Sequence, residues 1–227
     1  ASQLTALSKS ALYMRIGNID FEMSWMEKIM DMNRSMKLAD LSSGIDPVSM
    51  EAGDHEHVHG HVDPHIWMSA RNAVIIAGNV YRELVPLLPG KEKELEVRYD
   101  SLLTRLDSLE TAMEIMLEGL EGRGFMIYHP ALTYFARDYG LEQYPVELEG
   151  KTPSPAYMRR LTDLAREKNI RSIFLQMQFD QDNARVLSRE TGADIIQINP
   201  LDPDWYGQML YIAGKMAWTL QKESQQD

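Results

Sequence analysis

The chain contains no cysteine, so disulfides, thiolate metal sites and cysteine nucleophiles are all excluded at once. It also has no apolar run approaching the ~20 residues needed to cross a bilayer as a helix. Residues 1–20 lack the order of basic, apolar and small residues that marks a secretion signal, so any such signal is expected to precede Ala1. Clusters of Lys and Arg are missing too, and the formal net charge is −11, which argues against nucleic acid or an anionic membrane surface as a partner. No GxSxG elbow, phosphate-binding glycine loop or HExxH zinc-peptidase motif occurs. A cationic ligand fits the sign of the charge.

What the chain has is enough apolar residue, 44% of 227, to build one large domain or two smaller lobes with cores. The run 11–16 followed by Gly17 and then by Phe21, Trp25 and Ile29 at helical spacing predicts strand, turn and helix. A second short strand is expected near residue 38. Ser69 is placed to cap a helix whose apolar face is Val74, Ala77, Tyr81, Leu84, Val85 and Leu88, broken by Pro89 and Gly90. From Glu92 the apolar residues Leu95, Tyr99, Leu102, Leu106, Leu109, Met113, Met116 and Leu120 recur in steps of four and three, which predicts one long helix with a heptad seam, about 45 Å at 1.5 Å per residue. The remainder alternates: strands at 124–128, 144–148, 172–179 and 193–198, with helices at 131–139, 154–168, 181–191 and 204–221 between and after them. Repeated βα units of this length imply a parallel sheet covered by helices. The expected organisation is therefore a first α/β lobe over 1–90 with too few strands to be complete, a linker helix over 91–119, and an α/β lobe over 120–227.

Five of the six histidines lie between residues 55 and 65. His55, His57, His59 and His61 alternate with Glu56, Val58 and Gly60 in a segment with acidic neighbours and many loop formers, which reads as a solvated loop binding metal weakly and adaptably. His65 stands apart, behind Asp63 and Pro64 and just ahead of the helix capped by Ser69. His129 ends an apolar strand, with Pro130 expected at the first position of the next helix. The carboxyl end of a strand is where open α/β sheets bind ligands, and neutral imidazole is a common zinc ligand. Two readings stand side by side for this pair: half of a tetrahedral metal site, or a helix cap at His129 and a turn held by Asp63 at His65. Asp202 and Asp204 are candidates for a metal or a catalytic acid, and equally for turns and caps. The fifteen methionines lie mostly at helical core spacing and read as packing.

The segments "SQLTALSKSALYMRIGNIDFEMSWMEKI", "HVDPHIWMSARNA", "YHPALTYFARDYGL", "KTPSPAYMRRLTDLAREKNIRSIF" and "QMQFDQDNARVLSRETGADIIQINPL" occur in that order across nearly the whole chain. Together they resemble the metal-specific solute-binding proteins of bacterial ABC importers, the zinc and manganese uptake family, in which a histidine-rich loop before DPHxW is typical of zinc-preferring members. The resemblance implies two α/β lobes with parallel sheets joined by a rigid long helix, one divalent metal held in the cleft between them, and delivery to an ABC permease at the outer face of the cytoplasmic membrane or in the periplasm. It implies His65 and His129 as metal ligands, and zinc rather than manganese as the ion. Asn199 occupies the place of the family's aspartate ligand, and Gln176 a place where many relatives carry glutamate. The family's first histidine ligand belongs upstream of the segment matching residues 2–10, so the first lobe is expected to be incomplete, with weak cleft binding by this chain and self-association through the exposed lobe edge. Two other classes stay open: a zinc hydrolase using His65, His129 and Asp202, and a metal-linked surface adhesion module.

Overall fold

The computed structural model describes residues 2–49, 62–147, 153–179 and 181–223. It divides into two compact units, Ala1–Asp107 and Ser108–Asp227, with the boundary falling inside one long helix. Both are built from parallel strands and helices, as the alternating periodicity requires.

In the first unit, β1 (Leu12–Arg15) and β2 (Lys37–Asp40) form a two-stranded parallel ladder, with α1 (Ser2–Leu7) ahead of it and α2 (Asp20–Met32) crossing between its strands. A buried carboxylate closes the β1–α2 turn. Glu22 accepts hydrogen bonds from the main-chain N–H groups of Ile16 (3.1 Å) and Gly17 (2.8 Å). Gly17 has φ +116°, and a Cβ there would meet Ser42 Oγ at 3.1 Å, so glycine is required. Arg15 and Asp40 pair across the ladder at its end, and the Asp40 carboxyl also accepts from Ser42. Burial raises the pKa of Asp40, but the hydrogen bonds from Ser42 and Arg15 outweigh it and hold the carboxyl below its ordinary range.

Further along the first unit, α3 (Ala70–Leu84) begins where Ser69 accepts a hydrogen bond from the Asn72 N–H (3.0 Å), as its sequence position predicts. A single 3-10 turn, Val85–Leu87, follows it before Pro89 and Gly90. Asn79 on α3 donates to the carbonyls of Leu41 (2.9 Å) and Ser43 (2.8 Å), tying the helix to the loop after β2.

The long helix is α4 (Glu92–Leu117), 26 residues and hence about 39 Å. Its buried positions are Leu106, Leu109, Met113 and Leu117, so Leu117 rather than Met116 carries the seam at its end. Leu102, expected on the seam, is 42% exposed.

In the second unit, β3 (Gly124–Ile127), β4 (Glu142–Pro145), β5 (Ser172–Gln176) and β6 (Asp194–Ile198) form a wholly parallel sheet in the order β4-β3-β5-β6. Strand alternation sends Met126, Tyr128, Ile173 and Leu175 to one face, where they pack with Leu161 and Ala165 of α6 (Pro155–Glu167) and Ala184 and Leu187 of α7 (Asp182–Thr191). Phe125, Ile127 and Phe174 point the other way, the two phenylalanines meeting edge to face at 5.6 Å. The last helix, α8 (Trp205–Glu223), buries Met209, Ile212, Ala213, Met216 and Leu220 at helical spacing.

The structure departs from the sequence expectation at several elements: α1 is not among the expected helices, and β5 ends at Gln176 where the strand is expected to reach residue 179. β4 starts at Glu142, two residues early, because its register is set by Gly124 of β3 facing Glu142. The helix expected over 131–139 is α5 (Thr133–Asp138), so Pro130 lies in the loop before it and not at its first position. The Leu132 N–H that a longer helix would leave unmatched is taken by the Gln143 side chain at 2.9 Å.

Phe174 is fully buried on β5, one of the two inner strands of the four-stranded sheet. Phe174→Ala is expected to lower the stability of the chain by about 3–5 kcal/mol, whereas Val97→Ala, at a position 62% exposed on α4, should stay within about 0.5 kcal/mol of wild type. Urea unfolding followed by circular dichroism checks both, and a Phe174→Ala midpoint equal to wild type would contradict this core.

Candidate metal centre

His65 belongs to the first unit. The described chain resumes at Val62, which bridges antiparallel to Ser49, and the Asp63 N–H donates to the Val48 carbonyl (2.8 Å). Asp63 is fully buried. Its Oδ1 accepts from the His65 main-chain N–H at 2.7 Å and lies 2.8 Å from His65 Nδ1. Ile66 and Met68, both buried, anchor the following turn, and Asn72 Nδ2 donates to the Ile66 carbonyl (3.0 Å). The imidazole rests against the Trp67 ring at 5.2 Å and its side chain keeps 13% exposure. Asp63 therefore does hold His65 in a turn, as one of the two readings expected, while the same contact engages one ring nitrogen.

His129 belongs to the second unit, at the carboxyl end of β3. The β3–β5 ladder continues one step beyond the named strands, Tyr128 N–H donating to the Phe174 carbonyl (2.8 Å). At the next residue the partner changes from main chain to side chain. Gln176 Oε1 accepts from the His129 N–H (3.2 Å) and Gln176 Nε2 donates to the His129 carbonyl (2.5 Å). On the ring itself, Nδ1 meets Glu147 Oε1 at 2.5 Å, and Phe179 stacks on the imidazole with centroids 5.1 Å apart and planes 18° from parallel. His129 does not cap α5: Leu132 occupies that position without a side-chain bond.

Glu147 was not singled out in the sequence. In "YPVELEG" it looks like an alternating strand residue, and only the neighbour relation of β4 and β3 brings it to a histidine eighteen positions away. It is 4% exposed. No local spacing rule could have found it.

Asn199 follows the end of β6, on the same carboxyl edge. Its side-chain oxygen accepts from Gln178 Nε2 (2.9 Å) and from the Leu201 N–H (3.3 Å), and its Nδ2 donates to Asp202 Oδ2 (3.2 Å). A carbonyl oxygen offers two lone pairs, and both are matched here. Asp202 accepts from the Asp204 N–H (2.9 Å), and Asp204 from the Gly207 N–H (3.1 Å) at the start of α8. These two aspartates take the turn and cap roles weighed for them. His55, His57, His59 and His61 lie outside the described residues. Among the described residues no three or more His, Asp or Glu side chains come together as a metal-binding group.

The two histidines thus lie in separate units, each with a buried carboxylate at its Nδ1. The chain belongs to the family described as zinc-uptake complex component A, periplasmic, whose model matches residues 1–217. It is similar to the zinc-binding lipoprotein AdcA of Streptococcus pneumoniae (strain ATCC BAA-255 / R6), 28% identical over 192 residues that cover 79% of this chain and 38% of the relative. The iron-binding protein YfeA of Yersinia pestis is 26% identical over 193 residues, covering 83% of this chain and 57% of YfeA. Among solved structures, a crystal structure of ZnuA superposes with a TM-score of 0.87 at 35% identity, covering 96% of this chain and 83% of that one. The chain thus spans 38% and 57% of the length of these two curated relatives.

Removing the side chain that clamps the His129 peptide group should be costly, since Gln176 is 2% exposed. Gln176→Leu is expected to destabilise the chain by roughly 1–3 kcal/mol by leaving buried polar groups unmatched. The check is a thermal or urea unfolding curve, and an unchanged midpoint would show that the clamp is dispensable.

Proposed function

We propose that this chain is an extracytoplasmic zinc-capturing component of an ABC importer, with His65 and His129 as ligands of the transported ion and a membrane permease as the partner that receives it. The single observation that carries the reading is His129: an imidazole at the carboxyl edge of a parallel sheet, where α/β folds bind ligands, in a chain matching a zinc-uptake family over residues 1–217. No covalent bond of a substrate is made or broken in this work. The metal exchanges water for imidazole, is held, and is given up to the permease.

Zinc is the preferred ion because the candidate donors are imidazoles, whereas manganese favours carboxylate and carbonyl oxygen. Two imidazoles are half of a tetrahedral set. Asn199 is the weakest candidate among the expected ligands, because its oxygen already accepts two hydrogen bonds. His55, His57, His59 and His61 act in this reading as a low-affinity collector whose members are interchangeable. The hydrolase reading has less support: Asp202, its intended base, spends its oxygens on the Asp204 N–H and the Asn199 amide, and the matched family is one of metal uptake.

Zinc titration against a competing chromophoric chelator tests the assignment. His65→Ala and His129→Ala should each weaken the tightest zinc event by at least about tenfold, or roughly 1.4 kcal/mol, while deletion of residues 54–61 should remove only weaker events. Tight binding that survives both point substitutions would refute the ligand assignment.

A further inference from the structure

We propose that Glu147 is a positioning residue for His129: its buried carboxylate decides which ring nitrogen the histidine presents to a metal, and Asp63 performs the same service for His65. This rests on the metal-binding reading only for its effect on affinity. The effect on the ring is a property of the metal-free chain.

The argument begins with what a carboxylate can do. It accepts hydrogen bonds and donates none, so an Oε1 lying 2.5 Å from Nδ1 requires the hydrogen on Nδ1 and leaves the lone pair of the neutral ring on Nε2. The Glu147 side chain is 5% exposed, and a charge so buried needs a donor. Its position is itself fixed by main chain, since the Glu147 N–H donates to the Tyr128 carbonyl (3.0 Å), one step along the β3–β4 pairing from the bond between Val146 and Ile127. The ring cannot turn over cheaply. Phe179 stacks on one face at 5.1 Å, and Gln176 holds the His129 backbone at both its N–H and its carbonyl.

The same atom is engaged at His65, in a different unit and by a different local device. Asp63 precedes its histidine by two residues, whereas Glu147 follows its own by eighteen and reaches it across a sheet. Asp63 also accepts from a main-chain N–H, so forming its turn would be reason enough for that aspartate. Among the described residues, the contact of the Glu147 carboxylate is with the imidazole. Two unrelated routes to a buried carboxylate on Nδ1 are what a demand on the imidazole produces. Carboxylate support of this kind orients a ligating histidine and raises its basicity, and its loss weakens metal binding.

Long-range ¹H–¹⁵N correlation spectra of the metal-free chain, labelled at histidine, read the tautomer directly. Wild type should show His129 with its hydrogen on Nδ1. Glu147→Ala, which removes the acceptor, should shift the population toward hydrogen on Nε2, whereas Glu147→Gln keeps an oxygen that can accept from Nδ1–H and should shift it less. Chelator competition with zinc alone should show about a 10–100-fold loss of affinity in Glu147→Ala, with circular dichroism retained. The wild-type spectrum needs no variant to fold, so the proposal stays testable if a substitution proves disruptive. Hydrogen on Nε2 in wild type, or an unchanged tautomer in Glu147→Ala, would overturn it. Should His129→Ala keep wild-type zinc affinity, the metal reading fails alone, and the tautomer result still decides what Glu147 does.

Discussion

The carboxyl edge of the four-stranded sheet depends on one exchange of partners, the point where main-chain pairing between β3 and β5 gives way to the Gln176 side chain. A primary amide has the same donor and acceptor as a peptide group, so Gln176 can continue the ladder for one residue while β5 itself turns away. That extra rung places His129 just beyond the regular strand but still held at its backbone. Met177, Gln178 and Phe179 are then free to turn, the Met177 N–H pairing with the Ile198 carbonyl, Gln178 reaching Asn199, and Phe179 stacking on the imidazole. A glutamate at 176 could accept from the His129 N–H but could not donate to its carbonyl. Gln176 is therefore part of the support of the His129 backbone.

Legibility in the sequence followed the distance over which each feature is decided. The helices α3, α6 and α8 and the strands β3 and β6 are set by local periodicity, by Ser69 and Ser154 as caps and by Gly192 in the left-handed conformation after α7, and all of these signals are visible residue by residue. The helix α1 has six residues, too few for periodicity to declare itself. The start of α5 was misread because Pro130 after a strand suggests a first helical position, whereas the Ala131 N–H turns back to the His129 carbonyl (2.7 Å) and Gln143 takes the Leu132 N–H.

The same rule divides the site. His65 and its Asp63 lie in one motif and were seen together. His129 was seen because a histidine ending an apolar strand is conspicuous. Glu147 escaped because its relation to His129 exists only through the order β4-β3-β5-β6, which a single sequence does not state. Asn199 was found by resemblance to a ligand position, yet its hydrogen bonds are those of a turn that leads into α8. Resemblance located the residue, and geometry supplied a local role for it.

The proposed function treats the chain's histidines as two kinds, His65 and His129 with buried carboxylates at Nδ1, and the alternating tract as a separate collector. X-ray absorption at the zinc edge, on the chain lacking residues 54–61 and loaded with one equivalent of zinc, measures this most directly. The proposed function predicts two imidazole ligands per zinc, in one shell with Zn–N at about 2.0–2.1 Å. One fewer imidazole should appear in each of His65→Ala and His129→Ala. A spectrum of oxygen ligands alone, or one unaltered by either substitution, would contradict it.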